Sequence, residues 1–339
     1  MKKWKNKLGG VMFQDVVPFI AFIVIFLFFT FASYNSRTGT FQMLTVRNLS
    51  TLLEQTMQTI LVACGTLFVV SQGSTDLSVG VNLALSGVIG TWAAYAAGID
   101  WLMIPVTLLV GLIVGVFNGV IVSKCKVSSF MLTLAMLIGV RGLVNFIQIR
   151  TDVQSLPAGL SFLSNSTVMV ILFLFIVVIM AYVFEFTKVG RYSRAIGENE
   201  TTAKFVGVPV NKMKIIAFAL SGLMAGVAAV FNMATVGSTN QQMGVFLEIR
   251  VVMAIYLGGV MVTGGSSAKF YKILLGSFSI QIIVKGLALM GKSDAHYSQF
   301  VQGILLLVIL FLSALAGRRR GRVKEQLPEH NETKAVQTK

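Results

Sequence analysis

The chain has 339 residues, 55% of them hydrophobic and only 12% charged, with a mean hydropathy of +0.80 and a net charge of +15. Soluble domains carry about a quarter charged residues, and the apolar stretches here have no polar face, so a water-soluble core is excluded and lipid is the fitting solvent. The basic excess lies between apolar runs and at both ends of the sequence, as flanks of membrane helices do, so no nucleic-acid partner is expected.

The first residues, Met1 to Lys7, resemble a signal n-region. No small-residue cleavage site follows the apolar run 16–33, which reads as a retained helix. A membrane helix needs about 20 apolar residues. Further apolar runs occur at 57–71, 79–97, 101–122, 130–149, 168–186, 215–234, 251–263, 273–290 and 300–315. The expectation is an all-α polytopic membrane protein of ten spans over 1–317, followed by a basic, disordered cytoplasmic tail over 318–339. Alternating from a cytoplasmic N-terminus puts most Lys and Arg inside and only Arg37, Arg47, Arg150 and Lys292 outside, so both termini are expected in the cytoplasm.

Two runs look too short to cross as regular helices. Run 57–71 ends in Gln72-Gly73-Ser74-Thr75-Asp76, and run 251–263 in Gly264-Gly265-Ser266-Ser267. Irregular backbone at membrane depth survives only inside protein or beside water, so such breaks point to a transport pathway or are plain loops between short helices. The longest internal polar stretch is 187–213. Within it Asn199 is placed to cap a short helix from about Glu200, and Gly207 to end it. An apolar-faced helix there is what a transporter presents to a partner.

These stretches resemble a family. Over 190–214 the pattern Gly-Arg-Tyr-x-x-Ala-x-Gly-x-Asn-Glu-x-x-Ala-x-x-x-Gly-Val-x-Val-Asn-Lys-x-Lys resembles the cytoplasmic coupling loop of the ribose/arabinose/galactoside class of ABC permeases. Asp76-Leu77-Ser78-Val79-Gly80 and Leu257-Gly258-Gly259 with Gly264-Gly265 resemble two more of its motifs, in the same order, with the likeness running from about 50 to 315. Gly73-Ser74-Thr75 and Ser266-Ser267-Ala268-Lys269 depart from its glycine-rich pattern and leave the solute open. The resemblance implies a permease subunit of an importer for a small polar solute, with a monosaccharide ahead of a nucleoside, a furanone signal or a branched-chain amino acid. It implies a cytoplasmic ATP-binding subunit, an extracytoplasmic solute-binding protein, and a second permease copy or related permease. It implies no covalent chemistry and no cofactor. The coupling residues carried over are Gly190, Arg191, Gly197, Asn199, Glu200, Ala203, Gly207, Asn211 and Lys212.

A translocation path is expected along Asp76, Ser78, Asn82, Asn118, Arg141, Asn145, Gly264 and Gly265. Asp76 opens a new apolar run and is placed to cap its helix. Arg141 lies half-way along its run, where it either contacts solute hydroxyls or pairs with a carbonyl. The asparagines suit a sugar's hydroxyls and equally suit interhelical hydrogen bonds. All thirteen acidic residues fall in loops, tails or span ends. An ion-coupled secondary transporter would need a midspan carboxylate, which argues against that class. His296 and His330, with Cys64 and Cys125, offer neither a metal set nor a reactive cluster for a membrane enzyme. Gly286-Leu287-Ala288-Leu289-Met290-Gly291-Lys292-Ser293 matches the P-loop spelling, but four helix formers fill its variable positions and close an apolar run, so no nucleotide site is expected there.

Overall fold

The computed structural model describes residues 2–36, 39–151, 154–291, 297, 299–308 and 311, with side chains from residue 15 onward. Its helices are α1 (Lys2–Ala32), α2 (Val46–Ser71), α3 (Val79–Ala97), α4 (Met103–Lys124), α5 (Ser129–Arg150), α6 (Ser166–Phe186), α7 (Lys188–Glu198), α8 (Glu200–Phe205), α9 (Val210–Val236), α10 (Leu247–Leu257) and α11 (Phe270–Leu289). A two-residue hairpin, Tyr34–Asn35 with Thr40–Phe41, forms the only sheet among the described residues.

Eight helices among the described residues are long and apolar enough to cross a membrane, so the protein is an all-α, multi-pass membrane protein. The remaining two expected spans are different objects. Run 251–263 becomes α10, eleven residues that stop at Gly258, and run 300–315 begins as the ten-residue helix Gln299–Val308. Run 57–71 is not short. Its helix starts at Val46 and has 26 residues. The first turns carry Arg47, Asn48, Ser50 and Thr51, polar enough to hide the helix from a hydropathy reading, and Thr51 and Thr56 bond back to carbonyls four residues earlier. Arg37, Asp152, Lys292, Ser293, His296 and the tail 318–339 with His330 lie outside the described residues.

Small residues decide which helices form the centre. α4 presents Gly111 and Gly115 to Gly222 and Gly226 of α9 and Gly119 to Ile215 and Phe218, so close that an added Cβ at Gly115 would run into the Phe218 carbonyl. This is the small-xxx-small packing that lets membrane helices touch backbone to backbone. α2 lies on the other side of α9, where Gly65 meets Leu220 and Ser221. α1, α5 and α6 stand outside this core and expose large apolar side chains such as Phe28, Ile138 and Phe175.

Hydrogen bonds along α3 and α4 fix the depth of the break after α2. Ser78 pairs with Asn118, and Asn82 with the Gly111 carbonyl. Asn118 precedes the end of α4 by six residues, so α3 starts about 9 Å inside that end of the bundle at 1.5 Å per residue. Residues 72–78 therefore fold back into the protein, which is where irregular backbone at membrane depth is tolerated.

Candidate functional site: a coupling knob and two buried polar clusters

At one end of the bundle, α7 and α8 form a small folded knob. Thr187 caps α7 by accepting from the Val189 N–H. Asn199 caps α8, its Oδ1 accepting from Thr202 N at 2.8 Å, and Gly207 follows the helix at φ +85°. Both expectations for Asn199 and Gly207 therefore hold. Ile196, Ala203, Val208, Val210 and Met213 bury one another beneath the knob. Arg191, Glu200, Asn211 and Lys212 stay on its surface, and Glu200 pairs with Lys214 at 2.8 Å. At its tip Phe205 and Val206 are 86% and 73% exposed.

The knob is fastened to the bundle at several points. Gly190 abuts the Phe184 carbonyl and Gly197 the Ser71 carbonyl, where no side chain fits. Glu198 accepts from the Ser266 N–H at 2.8 Å and from the Ser266 hydroxyl. Gln72 donates to Ser193 Oγ at 2.9 Å and to the Met213 carbonyl at 3.1 Å. Glu185 pairs with Arg194 at 2.6 Å and accepts from Phe270 N, the first N–H of α11. Gly264 and Gly265, expected along the path, belong to this assembly: they sit against Ser71, Gly73 and Glu198. Buried Lys272 donates to the carbonyls of Gly259 and Ser267 just beyond the end of α10, and Asp15 of α1 reaches both Lys272 and Lys269. The Asp15 end of the apolar part of α1, Asp15–Ala32, thus lies at the same end of the bundle as the knob.

The first polar cluster surrounds Asp76, which is 1% exposed. Its carboxylate accepts from Ser78 N, Ser78 Oγ (2.6 Å) and Ser221 Oγ (2.8 Å), and Asn118 donates to Ser78 Oγ. Asp76 is therefore not the helix cap. Ser78 holds that position, and the carboxylate instead ties the break to α9. Sequence spacing located the break but not the partner, because Ser221 is 145 residues away. Asn82 is held by the Gly111 carbonyl and Ser86, which makes it an interhelical bond.

The second cluster lies between α5 and residues 240–248. Arg141 donates to the Met243 carbonyl at 2.8 Å, so the carbonyl partner is realised. One and two turns further on, Asn145 and Gln148 follow on the same edge of α5, and Gln148 donates to the Asn240 carbonyl at 3.0 Å. Glu248, 5% exposed in the first turn of α10, lies against Gly80 and within electrostatic reach of Arg141 and Arg250. A side chain at Gly80 would collide with that carboxylate. Both carboxylates keep to a loop and a helix end, as expected from the sequence, yet neither is at the surface. Asp76 and Glu248 are buried in the protein because the chain folds inward on both sides of these breaks. Gln148, like the asparagines, is a polar span residue suited to a sugar's hydroxyls on sequence grounds, and the i, i+4, i+7 spacing from Arg141 through Asn145 sets it on their edge; sequence reasoning missed Glu198 and Glu248 as members of these assemblies.

Among the described residues, no group of three or more His, Cys, Asp or Glu is arranged to hold a metal. Residues 48–310 match the protein family described as branched-chain amino acid transport system / permease component. The chain belongs to that family. It is 30% identical to the ribose import permease protein of Haemophilus influenzae over 290 residues, 81% of this chain and 87% of that protein. It is 31% identical to an autoinducer 2 import system permease protein of Photorhabdus laumondii over 276 residues, 79% of this chain and 80% of the relative. A fructose import permease protein of Bifidobacterium longum is 27% identical over 323 residues, 90% of this chain and 93% of its own length. No solved structure matches the chain. The protein is accordingly the membrane permease of an ABC importer, a transport component rather than an enzyme.

Proposed function

We propose that this permease carries a monosaccharide across the cell membrane, and that the α7–α8 knob is the surface on which a cytoplasmic ATP-binding subunit docks. The observation that carries the docking role is the exposure of Phe205 and Val206 on a knob rich in Lys and Arg. Residues in such a polar loop meet water, not lipid, and adjacent apolar side chains projecting into water fit a pocket on a partner. The same basic residues favour a cytoplasmic knob, and the contact of Asp15 with Lys269 supports the same side for the N-terminal end of the α1 span. A solute-binding protein then meets the opposite end, where Asp100 accepts from Gly159 N and Ser164 donates to the Ala234 carbonyl. A second copy or a related permease completes the path. The ribose and fructose named for relatives support the sugar.

The fastenings of the knob suggest how ATP-driven motion enters the membrane. A push on α7 reaches α2 through Gly197 against Ser71, the turn before α11 through Glu198 on Ser266, and α6 through Arg194 on Glu185. Each link is a backbone contact or a charge-assisted bond, so α7 cannot shift without them. The test is Phe205→Asp. The variant should insert at normal abundance yet fail to co-purify with the ATP-binding subunit; undiminished co-purification would refute the docking role. For orientation, a reporter active only outside the cell should work when fused after Asn165, and silence there would reverse the assignment.

A further inference from the structure

We infer that the edge of α5 bearing Arg141, Asn145 and Gln148, together with Glu248 of α10, holds the transported solute at membrane depth, and that this site selects an uncharged, polyhydroxylated molecule. The inference rests on the reading of the chain as a monosaccharide importer and adds the residues and the chemistry of recognition.

Three buried side-chain oxygens in this region, Asn145 Oδ1, Gln148 Oε1 and Glu248 Oε2, accept no hydrogen bond. Buried polar atoms are ordinarily satisfied, so a group of acceptors left open along one edge calls for donors from elsewhere. The other unsatisfied side-chain oxygens among the described residues are spread over α1, α4, α9 and α11. Glu248 is 5% exposed and lies in the space that a side chain at Gly80 would fill. The oxygens are closed off in this state, so a solute meets them only when this edge opens, and α5 has an open face beside it. Buried Thr133 and Val144 mark the packed face of α5, while Ile138 and Ile149, 69% and 74% exposed, mark its open face; Arg141, Asn145 and Gln148 lie between the two.

The donor and acceptor pattern sets the ligand class. A sugar hydroxyl donates one hydrogen bond and accepts others, so vicinal hydroxyls satisfy open acceptors and guanidinium donors together. A free amino acid's ammonium could meet the acceptors too, but its carboxylate would need a donor, and Arg141 already gives one bond to the Met243 carbonyl. Arg250 is turned to the Val245 and Phe246 carbonyls, so neither arginine is without a partner.

The test uses the intact transporter, reconstituted with its ATP-binding subunit and solute-binding protein, with D-ribose, D-fructose and L-leucine as probes. Gln148→Leu and Asn145→Leu should lower sugar uptake about tenfold at normal abundance, the loss of one hydrogen bond to a hydroxyl. ATPase stimulation by loaded binding protein should stay within about twofold, because the knob is untouched. Gln148→Asn, which keeps both an acceptor oxygen and an amide donor, should restore part of the uptake. Uptake and ATPase stimulation falling together, or uptake unchanged in both Leu variants, would overturn the site. Wild-type protein that carries leucine and neither sugar would overturn the solute class and the monosaccharide reading with it. Sugar uptake by wild type with unaffected variants overturns the site alone.

Discussion

The knob and the α5 edge both contain charged side chains beside broken helices, yet they are built in opposite ways. Around α7, backbone lies on backbone at Gly190 and Gly197, and Glu185 and Glu198 each accept from a backbone N–H. Along α5, only Thr133 and Val144 are buried, and the helix is held to residues 240–243 by two side chains reaching carbonyls. Close-packed backbone transmits displacement, whereas a few long side chains let a helix shift without breaking its neighbours. The difference suggests a division of labour: the knob with α2 and residues 264–267 moves as one body, and the α5 edge is where the bundle opens.

The strongest way to break this contrast is Gly197→Trp. Its first side-chain atom meets the Ser71 carbonyl, so the knob must lift from α2, and ATPase stimulation by loaded binding protein should fall at least about tenfold. Gly207→Trp faces open space but must adopt φ +85°, a conformation costing on the order of 1–2 kcal/mol, so its effect should be smaller. Undiminished stimulation in both variants would remove the knob from the mechanism.

Asp76→Asn sharpens the contrast from the other side of the break. The carboxylate accepts three bonds, two at one oxygen from Ser78 and one at the other from Ser221; an amide keeps the first oxygen but forces the Ser221 hydroxyl from donor to acceptor and removes the charge. Normal abundance with uptake reduced about tenfold is expected, since the break should hold its shape during transport. Wild-type uptake would reduce Asp76 to a turn former. The smallest effect is expected at Lys292, in the P-loop spelling. Lys292→Ala should leave transport within about twofold, since the sequence gives this position no role beyond a loop cation and such cations contribute little. Lost transport together with lost ATP photolabelling of this chain would establish the nucleotide site that is not expected there.

The helices were legible because lipid demands long apolar runs, and the Asn199 cap because capping is local in sequence. Polar turns hid the start of α2 at Val46, and nothing in a 13-residue apolar run says that it stops at Gly258. The clusters were less legible still. Asp76 finds Ser221, Arg141 finds Met243, and Glu198 finds Ser266 across 145, 102 and 68 residues. Spacing in one sequence carries periodicity, not such meetings. The packing of Gly264 and Gly265 against Ser71, Gly73 and Glu198 is one such meeting.

One pair of cross-links tests the division of labour most directly. In a chain with Cys64 and Cys125 replaced, introduce Glu198→Cys with Ser266→Cys in one variant and Arg141→Cys with Met243→Cys in another. Close each pair with a short thiol-reactive linker and measure ATP-driven sugar uptake, with each uncrosslinked variant as its own reference. If the knob and residues 264–267 move as one body, the first cross-link leaves uptake within about twofold of its reference, while the second, which pins α5 to residue 243, abolishes it. Uptake stopped by the first link, or undisturbed by the second, would contradict the account.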